Sequence, residues 1–561
     1  MSRWWPSAAT IVILWSTVAA VLATSLRINQ GHLIYALDDS YIHMAMARNF
    51  ALHGVWGVTP FGFTASSSSP LWTLLLAGID RVLGVQASVP LILNLLFTTA
   101  LMVAVQWVLA SVSPAVSRFY VFIVQLAVLF FSPVLNLIFL GLEHLLHMFL
   151  TLLFVLFAAK MLVDQAPRTR RSQMTLIATG MAVGAVRYEG LFVVAVVASL
   201  VFLRGRRRLA MELAACSLAP AFLMGAISVG HGWFWLPNPV VLKGNLPVGE
   251  ASPVSVFLAH AAANTLYSGM RVVRLQGVAL LLMLWEYAQG RQSEVRSPKF
   301  DATSQTSRSE QAWMMGIFVG AATLHLLMAG TGWFLRYEAY LVALGLTVVA
   351  APLWSVVQSL CAPRPFRLGN GPGFAAAALL AVSAGMLCHA GYNAVWMTLP
   401  ATHDTFRWHY QMGTFVRQYY QGAPLVVNDI GAVDFMADIH LTDPHGLADR
   451  DIARARLRDG GELEPEVLDG LARARGARVA LVDENWVEFI HGGFRRVVPK
   501  NWLLAGVWRF HNRVVLAPTG LSFYALDESA RTQLIANLRK YARHLPPDVE
   551  QSGPYTRADA P

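Results

Sequence analysis

The chain has 561 residues, 55% of them hydrophobic and only 14% charged, with a mean hydropathy of +0.48. That leaves too little polar surface to cover a globular protein of this length, and it excludes a wholly soluble or disordered chain. The net charge of +10 does not indicate a nucleic-acid surface, because residues 398–561 carry 19 Lys+Arg against 20 Asp+Glu and the excess lies in the apolar part, with 24 basic and 13 acidic residues, as a positive-inside bias would place it.

Uncharged apolar runs near the 20 residues a bilayer crossing needs occupy 8–26, 88–111, 119–138, 144–159, 312–330, 339–358 and 374–397; less clean runs occupy 174–186, 190–203, 210–230 and 272–288. These predict about 11 spans. The first reads as a signal anchor, since Arg3 precedes a full-length run with no small-x-small cleavage site. Residues 70–84 carry Asp80 and Arg81 and are too short to span alone, so they predict a partial or interfacial helix. Arg168, Arg170 and Arg171, then Arg204 and Arg206 to Arg208, then Arg291, Arg296, Lys299 and Arg308, then Arg364 and Arg367 fall on alternate connections. That places 16 of the 24 basic residues in the cytoplasm with the N-terminus and puts residues 398–561 outside. A multi-pass protein of the bacterial inner membrane is the expectation.

Three parts follow: a transmembrane module at 1–397, an extracytoplasmic α/β domain at 398–545 and a disordered tail at 546–561. Strands are expected at 424–427, 478–482, 502–508 and 514–517, an amphipathic helix or pair at 449–476, and a helix at 527–543 that Asp527 can cap. Ser293 to Ser309 reads as a polar linker, and no internal repeat is found. Cys216, Cys361 and Cys388 lie in or beside spans and form neither a disulfide framework nor a zinc cluster.

Ionisable groups at the ends of spans are functional candidates because burial at membrane depth is costly. The first are Asp38 and Asp39, followed by helical spacing over 41–52 with Arg48 and Asn49 interleaved, as in a helix lying in the interface. Adjacent carboxylates repel, which suits a general base or a divalent-metal site; their plain alternative is capping the helix that follows. Next come Glu143 and His144 at the start of a span, then Arg187-Tyr-Glu189 in a turn, where an Arg–Glu pair holding the turn is the alternative. Trp233 to Lys243 contributes Asn238 and Lys243, the only Lys of the outer loops of the membrane part, and Gly332 to Glu338 contributes Arg336. Carboxylates, a His and the cations Arg187, Lys243 and Arg336 on one face suit a lipid phosphate and acid/base chemistry. They suit an ion channel less, since no span carries charges in rows at mid-depth.

In order along the chain, Asp38-Asp-Ser-Tyr-Ile42 with Arg48-Asn49, Thr64 to Trp72 ending in Ser-Pro-Leu-Trp, Gly141-Leu-Glu143, Arg187-Tyr-Glu-Gly190, Leu236-Pro-Asn-Pro-Val-Val-Leu-Lys243 and Val427-Asn-Asp-Ile-Gly-Ala432 resemble motifs of the GT-C superfamily of glycosyltransferases. The sequence is most similar to the branch containing the cell-wall arabinofuranosyltransferases. Tyr188, Pro239, His144 and the Arg-Tyr-Glu at 336–338 depart from the family pattern and are compatible with another sugar or acceptor.

The resemblance implies a GT-C-like helical bundle with interfacial helices, a polyprenyl-phosphate-linked sugar donor, an extracytoplasmic glycan, lipid or protein acceptor, and inversion. It makes Asp39 the base, or Asp38 and Asp39 a shared base and metal site. Arg187, Lys243 and Arg336 become phosphate clamps, with Glu143, Glu189 and Asn238 in substrate binding. His144 would join them or bind a divalent metal with Asp38 and Asp39. The competing classes are a multispan lipid or sugar transporter and a non-catalytic cell-envelope scaffold.

Overall fold

The computed structural model describes residues 3–163, 169–243, 253–296, 302–361, 371–458, 462–483, 487–490, 493–514 and 519–557. Its helices run in chain order as α1 (Trp5–Ile28), α2 (Asp39–His53), α3 (Pro70–Leu83), α4 (Val89–Val112), α5 (Arg118–Phe131), α6 (Val134–Leu140), α7 (His144–Leu162), α8 (Arg170–Val186), α9 (Gly190–Leu203), α10 (Arg207–Gly230), α11 (Asn238–Lys243), α12 (Pro253–Ala263), α13 (Met270–Arg296), α14 (Ala302–Met328), α15 (Ala339–Cys361), α16 (Gly371–Thr405) and α17 (Gln411–Tyr419). Local chemistry sets several ends. Ser117 accepts from the Tyr120 N–H to cap α5, Pro70 opens α3, and left-handed glycines at 54 and 141 close α2 and α6.

The chain is a multi-pass helical protein. Among the described residues seven helices are long and apolar enough to cross a membrane, and two bent pairs, α5 with α6 (48°) and α12 with α13 (81°), bring the total to nine. The remaining two expected spans are α8 and α9, of 17 and 14 residues. At about 1.5 Å per residue each is shorter than the roughly 30 Å hydrocarbon core. They form a hairpin whose turn, Arg187 to Glu189, is recessed into the bundle, with Arg187 only 7% exposed.

Of two short helices, one differs in its environment from expectation. α3, at 14 residues, is the partial helix predicted. By contrast α2 is buried at residues 40–47 and 49, where it is sandwiched between α3 and α18 of the domain that follows the bundle, and only its last turn, with Phe50 and Leu52, is exposed.

The C-terminal region is α/β. Its strands are β1 (Pro424–Val427), β2 (His440–Thr442), β3 (Val479–Asp483), β4 (Val487–Ile490), β5 (Gly493–Arg496), β6 (Leu503–Phe510), β7 (Gly520–Ala525) and β8 (Val549–Ser552), and its helices are α18 (Ile430–Met436), α19 (Arg450–Arg458), α20 (Pro465–Ala474) and α21 (Glu528–Tyr541). One mixed sheet has the order β2-β1-β3-β7-β6-β8, with β2, β1 and β3 parallel and the rest antiparallel; β4 and β5 form a separate hairpin. The period-two alternation of the strands divides the core into two layers. Leu425, Val427, Leu481 and Phe523 face α17 and α21 around Phe415, Trp508 and Tyr541, whereas Val426, Ala480, Val482 and Tyr524 face α19 and α20 through Ile452, Leu468 and Ala472.

Two expectations are modified here. The boundary at 397/398 falls inside a continuous helix, since α16 passes through a π-turn at Phe406–Tyr410 directly into α17. The expected disordered tail instead supplies β8, which pairs with the edge of β6 from Val507↔Ser552 to Phe510↔Val549, and Tyr555 is buried against the sheet. An exposed edge strand was available there, and pairing satisfies its backbone groups. Of the strand expected at 514–517, residues 515–517 lie outside the described residues, as do residues 297–301 of the expected linker.

Asp527 caps α21 as expected, accepting from the Ala530 N–H at 2.8 Å, and also receives both nitrogens of a two-pronged contact from Arg478 at 2.9 Å. Asp527→Ala should lower unfolding stability by about 1 kcal/mol, read as a small fall in the denaturant midpoint of the C-terminal region.

Candidate active site

The connections at one end of the bundle meet the α/β domain, and there the two adjacent aspartates separate. Asp38 occupies the N-cap position of α2 but makes no side-chain capping bond there. Its carboxylate instead reaches across to α18, where Oδ2 accepts from the Gly431 N–H at 2.7 Å and Oδ1 from the Ala432 N–H at 2.8 Å. Only glycine permits this approach: a Cβ at 431 would lie 2.1 Å from the Asp38 carbonyl oxygen and 2.6 Å from Oδ2.

Burial pushes the Asp38 carboxyl above its ordinary range, against the opposing pull of His409 and the two N–H bonds. Beside it, His409 Nε2 lies 3.4 Å from Asp429 Oδ2. For Asp429 the histidine's hydrogen bond and charge outweigh burial and hold the carboxyl low. Asp483, at the end of β3, is pushed up to about 8 by burial and by the Asp429 charge.

Asp39 turns the other way. Its Oδ2 accepts from Arg336 Nη2 at 2.6 Å, and its side chain is 31% exposed. The guanidinium of Arg336 lies 5.0 Å from the ring centre of Tyr337, and that of Arg187 lies 5.8 Å from the same ring. Glu143 and Glu189 both hold Arg187, the latter through two nitrogens at 2.5 and 3.2 Å. Arg271, at the start of α13, is ion-paired to Glu338, which also accepts from the Gly332 N–H at 2.9 Å.

The loop before Arg336 is strained. Gly332 (φ 84°) is followed by Trp333, Phe334 and Leu335 at φ 38°, 61° and 62°, a left-handed turn that costs L-residues about 1–2 kcal/mol each. Asn136 Nδ2 donates to the Phe334 carbonyl at 3.1 Å and helps hold it.

Two features of this network call for a ligand. Arg336 Nε and Nη1 and Arg271 Nη1 are buried without a hydrogen-bond partner, a costly condition for charged donors. Arg271, Phe334, Leu335, Met386 and Met397 also line a groove of about 520 Å³ between α13 and α16 whose walls are mostly apolar.

The sequence-predicted residues sort as follows. Asp39, Arg336, Arg187, Glu143 and Glu189 come together; the Arg–Glu pair does hold its turn, and Glu143, 1% exposed, pairs with Arg187 through Oε1 while its Oε2 has no hydrogen-bond partner. His144 starts α7 as a buried residue with Nε2 unpartnered, as are the Nε2 atoms of His147 and His325, and Arg187, Arg336, His147 and His43 lie near it. It does not join Asp38 and Asp39 in a metal set, because no group with metal-ligand spacing among the described residues contains it. Among the described residues the one group with metal-ligand spacing is Asp38, His409 and Asp429.

Asn238 is fully buried and donates to the Gly446 carbonyl at 2.6 Å, while its own N–H donates to the Ala65 carbonyl at 2.9 Å. It thus ties its loop to the α/β domain. Lys243 ends α11, and its side chain lies outside the described residues. Sequence reasoning missed Arg271, Glu338, His43 and His409. His43 lies one turn after Asp39 and places Nε2 4.0 Å from Glu143 Oε2. Arg271 was legible as the charge just before the 272–288 run, but nothing distinguished His409.

Residues 401–524 match the model of a family described as a domain of unknown function, DUF8728. No curated protein matches the chain. Among solved structures, ArnT from Cupriavidus metallidurans bound to undecaprenyl phosphate is similar at 13% identity and a TM-score of 0.47, over 93% of this chain and 98% of that one. The Archaeoglobus fulgidus oligosaccharyltransferase in the apo form is similar at 11% identity and a TM-score of 0.44, over 92% of this chain and 74% of that one.

Proposed function

We propose that this chain is an integral-membrane glycosyltransferase that takes a sugar from a polyprenyl-phosphate donor and transfers it, with inversion, to an extracytoplasmic glycan, lipid or protein. The observation that carries the reading is a pair of buried arginines with unpartnered guanidinium donors: Arg271 lines an apolar groove, and Arg336, which follows Leu335 of the same groove, holds the partly exposed Asp39 carboxylate. An anion with a long apolar tail satisfies both halves of that site, and a phosphate takes paired N–H donors from arginine.

In this reading Asp39 takes the proton of the acceptor hydroxyl. Its oxygen forms a bond to the anomeric carbon as the bond from that carbon to the phosphate oxygen breaks, and the phosphate leaves with the electron pair. Arg336 and Arg271 stabilise the charge that develops on it. Attack from the face opposite the leaving group inverts the centre. Glu143 and Glu189 keep Arg187 aimed at Tyr337 and act as positioning residues. Lys243 remains a candidate clamp, and the resemblance to the arabinofuranosyltransferase branch makes a pentose donor the first to try.

The orientation proposed puts the α/β domain on the extracytoplasmic side of a bacterial inner membrane. Lys160, Arg204 and Arg207, at helix ends on the other side of the bundle, stack on Trp107, Trp313 and Phe202, where positive-inside residues belong.

The test is transfer by the purified full chain in lipid nanodiscs, with polyprenyl-phospho-pentose and polyprenyl-phospho-hexose offered separately and product detected by mass spectrometry. A covalent product from either donor is expected. Movement of donor across a sealed vesicle with no product would overturn the reading in favour of a transporter. Arg336→Lys, which keeps the charge and loses the forked geometry, is expected to raise the KM for donor about tenfold and leave the KM for acceptor unchanged.

A further inference from the structure

The divalent metal that the family resemblance leaves open does not fit Asp39, which is held by Arg336, or His144, which is in no group of metal-ligand spacing among the described residues. A different set of residues fits. Asp38 comes from the connection between α1 and α2, His409 from the π-turn below α17, and Asp429 from the turn between β1 and α18, and their ligating atoms all lie within 4.8 Å of one another. Both Asp38 oxygens accept backbone N–H bonds, which fixes them in place and leaves a lone pair on each.

The surroundings also favour a cation. Asn428 and Asp483 sit at the carboxyl ends of the neighbouring parallel strands β1 and β3, the edge where open α/β sheets bind ligands. Asn428 is 2% exposed, and neither atom of its amide has a hydrogen-bond partner, although it lies against the Asp483 carboxyl. Asp483 Oδ1 is likewise buried without a partner. Three carboxylates therefore share one imidazole, and the neighbouring Asp39 is already neutralised by Arg336.

We propose that Asp38, His409 and Asp429 form a divalent-cation site, with Asp483 and Asn428 beside it, that fastens the α/β domain to the connection carrying Asp39. Carboxylate oxygens with a single imidazole suit a cation of the Mn²⁺ and Mg²⁺ class. The site joins three segments distant in sequence, so its occupancy stabilises their docking by mass action. It positions Asp39 from behind and stands independently of the transferase reading.

The experiment uses the full chain in nanodiscs, stripped with a chelator and desalted, then titrated with Mn²⁺ while free Mn²⁺ is followed by electron paramagnetic resonance. Thermal unfolding is read in parallel by tryptophan fluorescence. One Mn²⁺ per wild-type chain and a rise in Tm on loading are expected. Asp429→Asn and His409→Gln should each weaken binding at least tenfold and abolish the rise, while Asp39→Asn should bind within twofold of wild type. A wild-type chain that takes up no Mn²⁺ overturns the proposal, as does Asp429→Asn or His409→Gln binding as tightly as wild type. If Asp429→Asn fails to fold, as judged by size exclusion, His409→Gln decides the matter in the same way. Because uptake is measured without turnover, failure here is distinguishable from failure to transfer sugar.

Discussion

Asp39→Asn is expected to lower kcat for sugar transfer by about 10²–10⁴-fold, the usual contribution of a positioned base, with the KM for donor little changed. Asparagine keeps the shape of the side chain and an oxygen for Arg336 but cannot take up the acceptor proton. The side chain is 31% exposed and asparagine can still accept from Arg336, but the buried guanidinium loses its counter-charge, so Tm is read in parallel and a modest fall is expected with the protein still folded. Steady-state transfer by protein purified in parallel with wild type is the measurement. A rate within about tenfold of wild type, roughly 1.4 kcal/mol of barrier, would remove Asp39 from the role of base. Asp38→Asn should behave differently, because an amide can still accept from one of the two α18 N–H groups but loses the charge. Its principal effect should be on docking of the α/β domain.

Gly431→Ala should be among the most damaging single-methyl changes in the chain. The added carbon would fall 2.1 Å from the Asp38 carbonyl oxygen and 2.7 Å from its Cγ, so either α18 or the Asp38 connection must move. Moving either one breaks the 2.7 and 2.8 Å bonds that join them. Overpacking alone costs about 1–3 kcal/mol, and losing charge-assisted hydrogen bonds at a buried carboxylate adds to it. We expect a loss of about 3 kcal/mol or more in docking, seen as faster proteolysis at the junction and a lower Tm. A variant as protease-resistant as wild type would show that this contact does not hold the two parts together.

Much of the fold was legible because two periodicities report on it directly. All eleven apolar runs are helical, and the strands at 424–427, 478–482 and 502–508 match β1, β3 and β6 to within one or two residues. The misreadings have particular causes. Residues 41–52 read as a helix lying in the interface, because Arg48 and Asn49 are interleaved with apolar residues, and the covering of its first turns by the α/β domain was not foreseen. Both polar residues are satisfied internally, however, Arg48 by Asp438 at 2.6 Å and Asn49 by the Gly57 and Val58 carbonyls. The tail read as disordered from its prolines and polar residues, and no local signal shows that β6 offers it an edge.

For the site, the residue types and their convergence were visible, but their division of labour was not. Nothing in Asp38-Asp39 shows that one carboxylate caps a helix 393 residues away while the other meets an arginine 297 residues away. The Asn-Asp-Ile-Gly-Ala signature at 428–432 was noticed as a motif, and its reason emerges only in three dimensions. The glycine makes room for Asp38, the two N–H groups bind it, and the aspartate meets His409.

The unbroken path from α16 through the π-turn into α17, 49 residues from Gly371 to Tyr419, makes the junction a strut rather than a hinge. A domain on a flexible linker samples many orientations and must give up that freedom each time it presents a surface. Here the orientational entropy is already lost on folding, so whatever the sheet carries reaches the Asp39 end of the bundle at one angle and one height. Conversely, tilting of α16 in response to bilayer thickness would be carried mechanically to the sheet, making the geometry between sheet and bundle sensitive to the membrane itself.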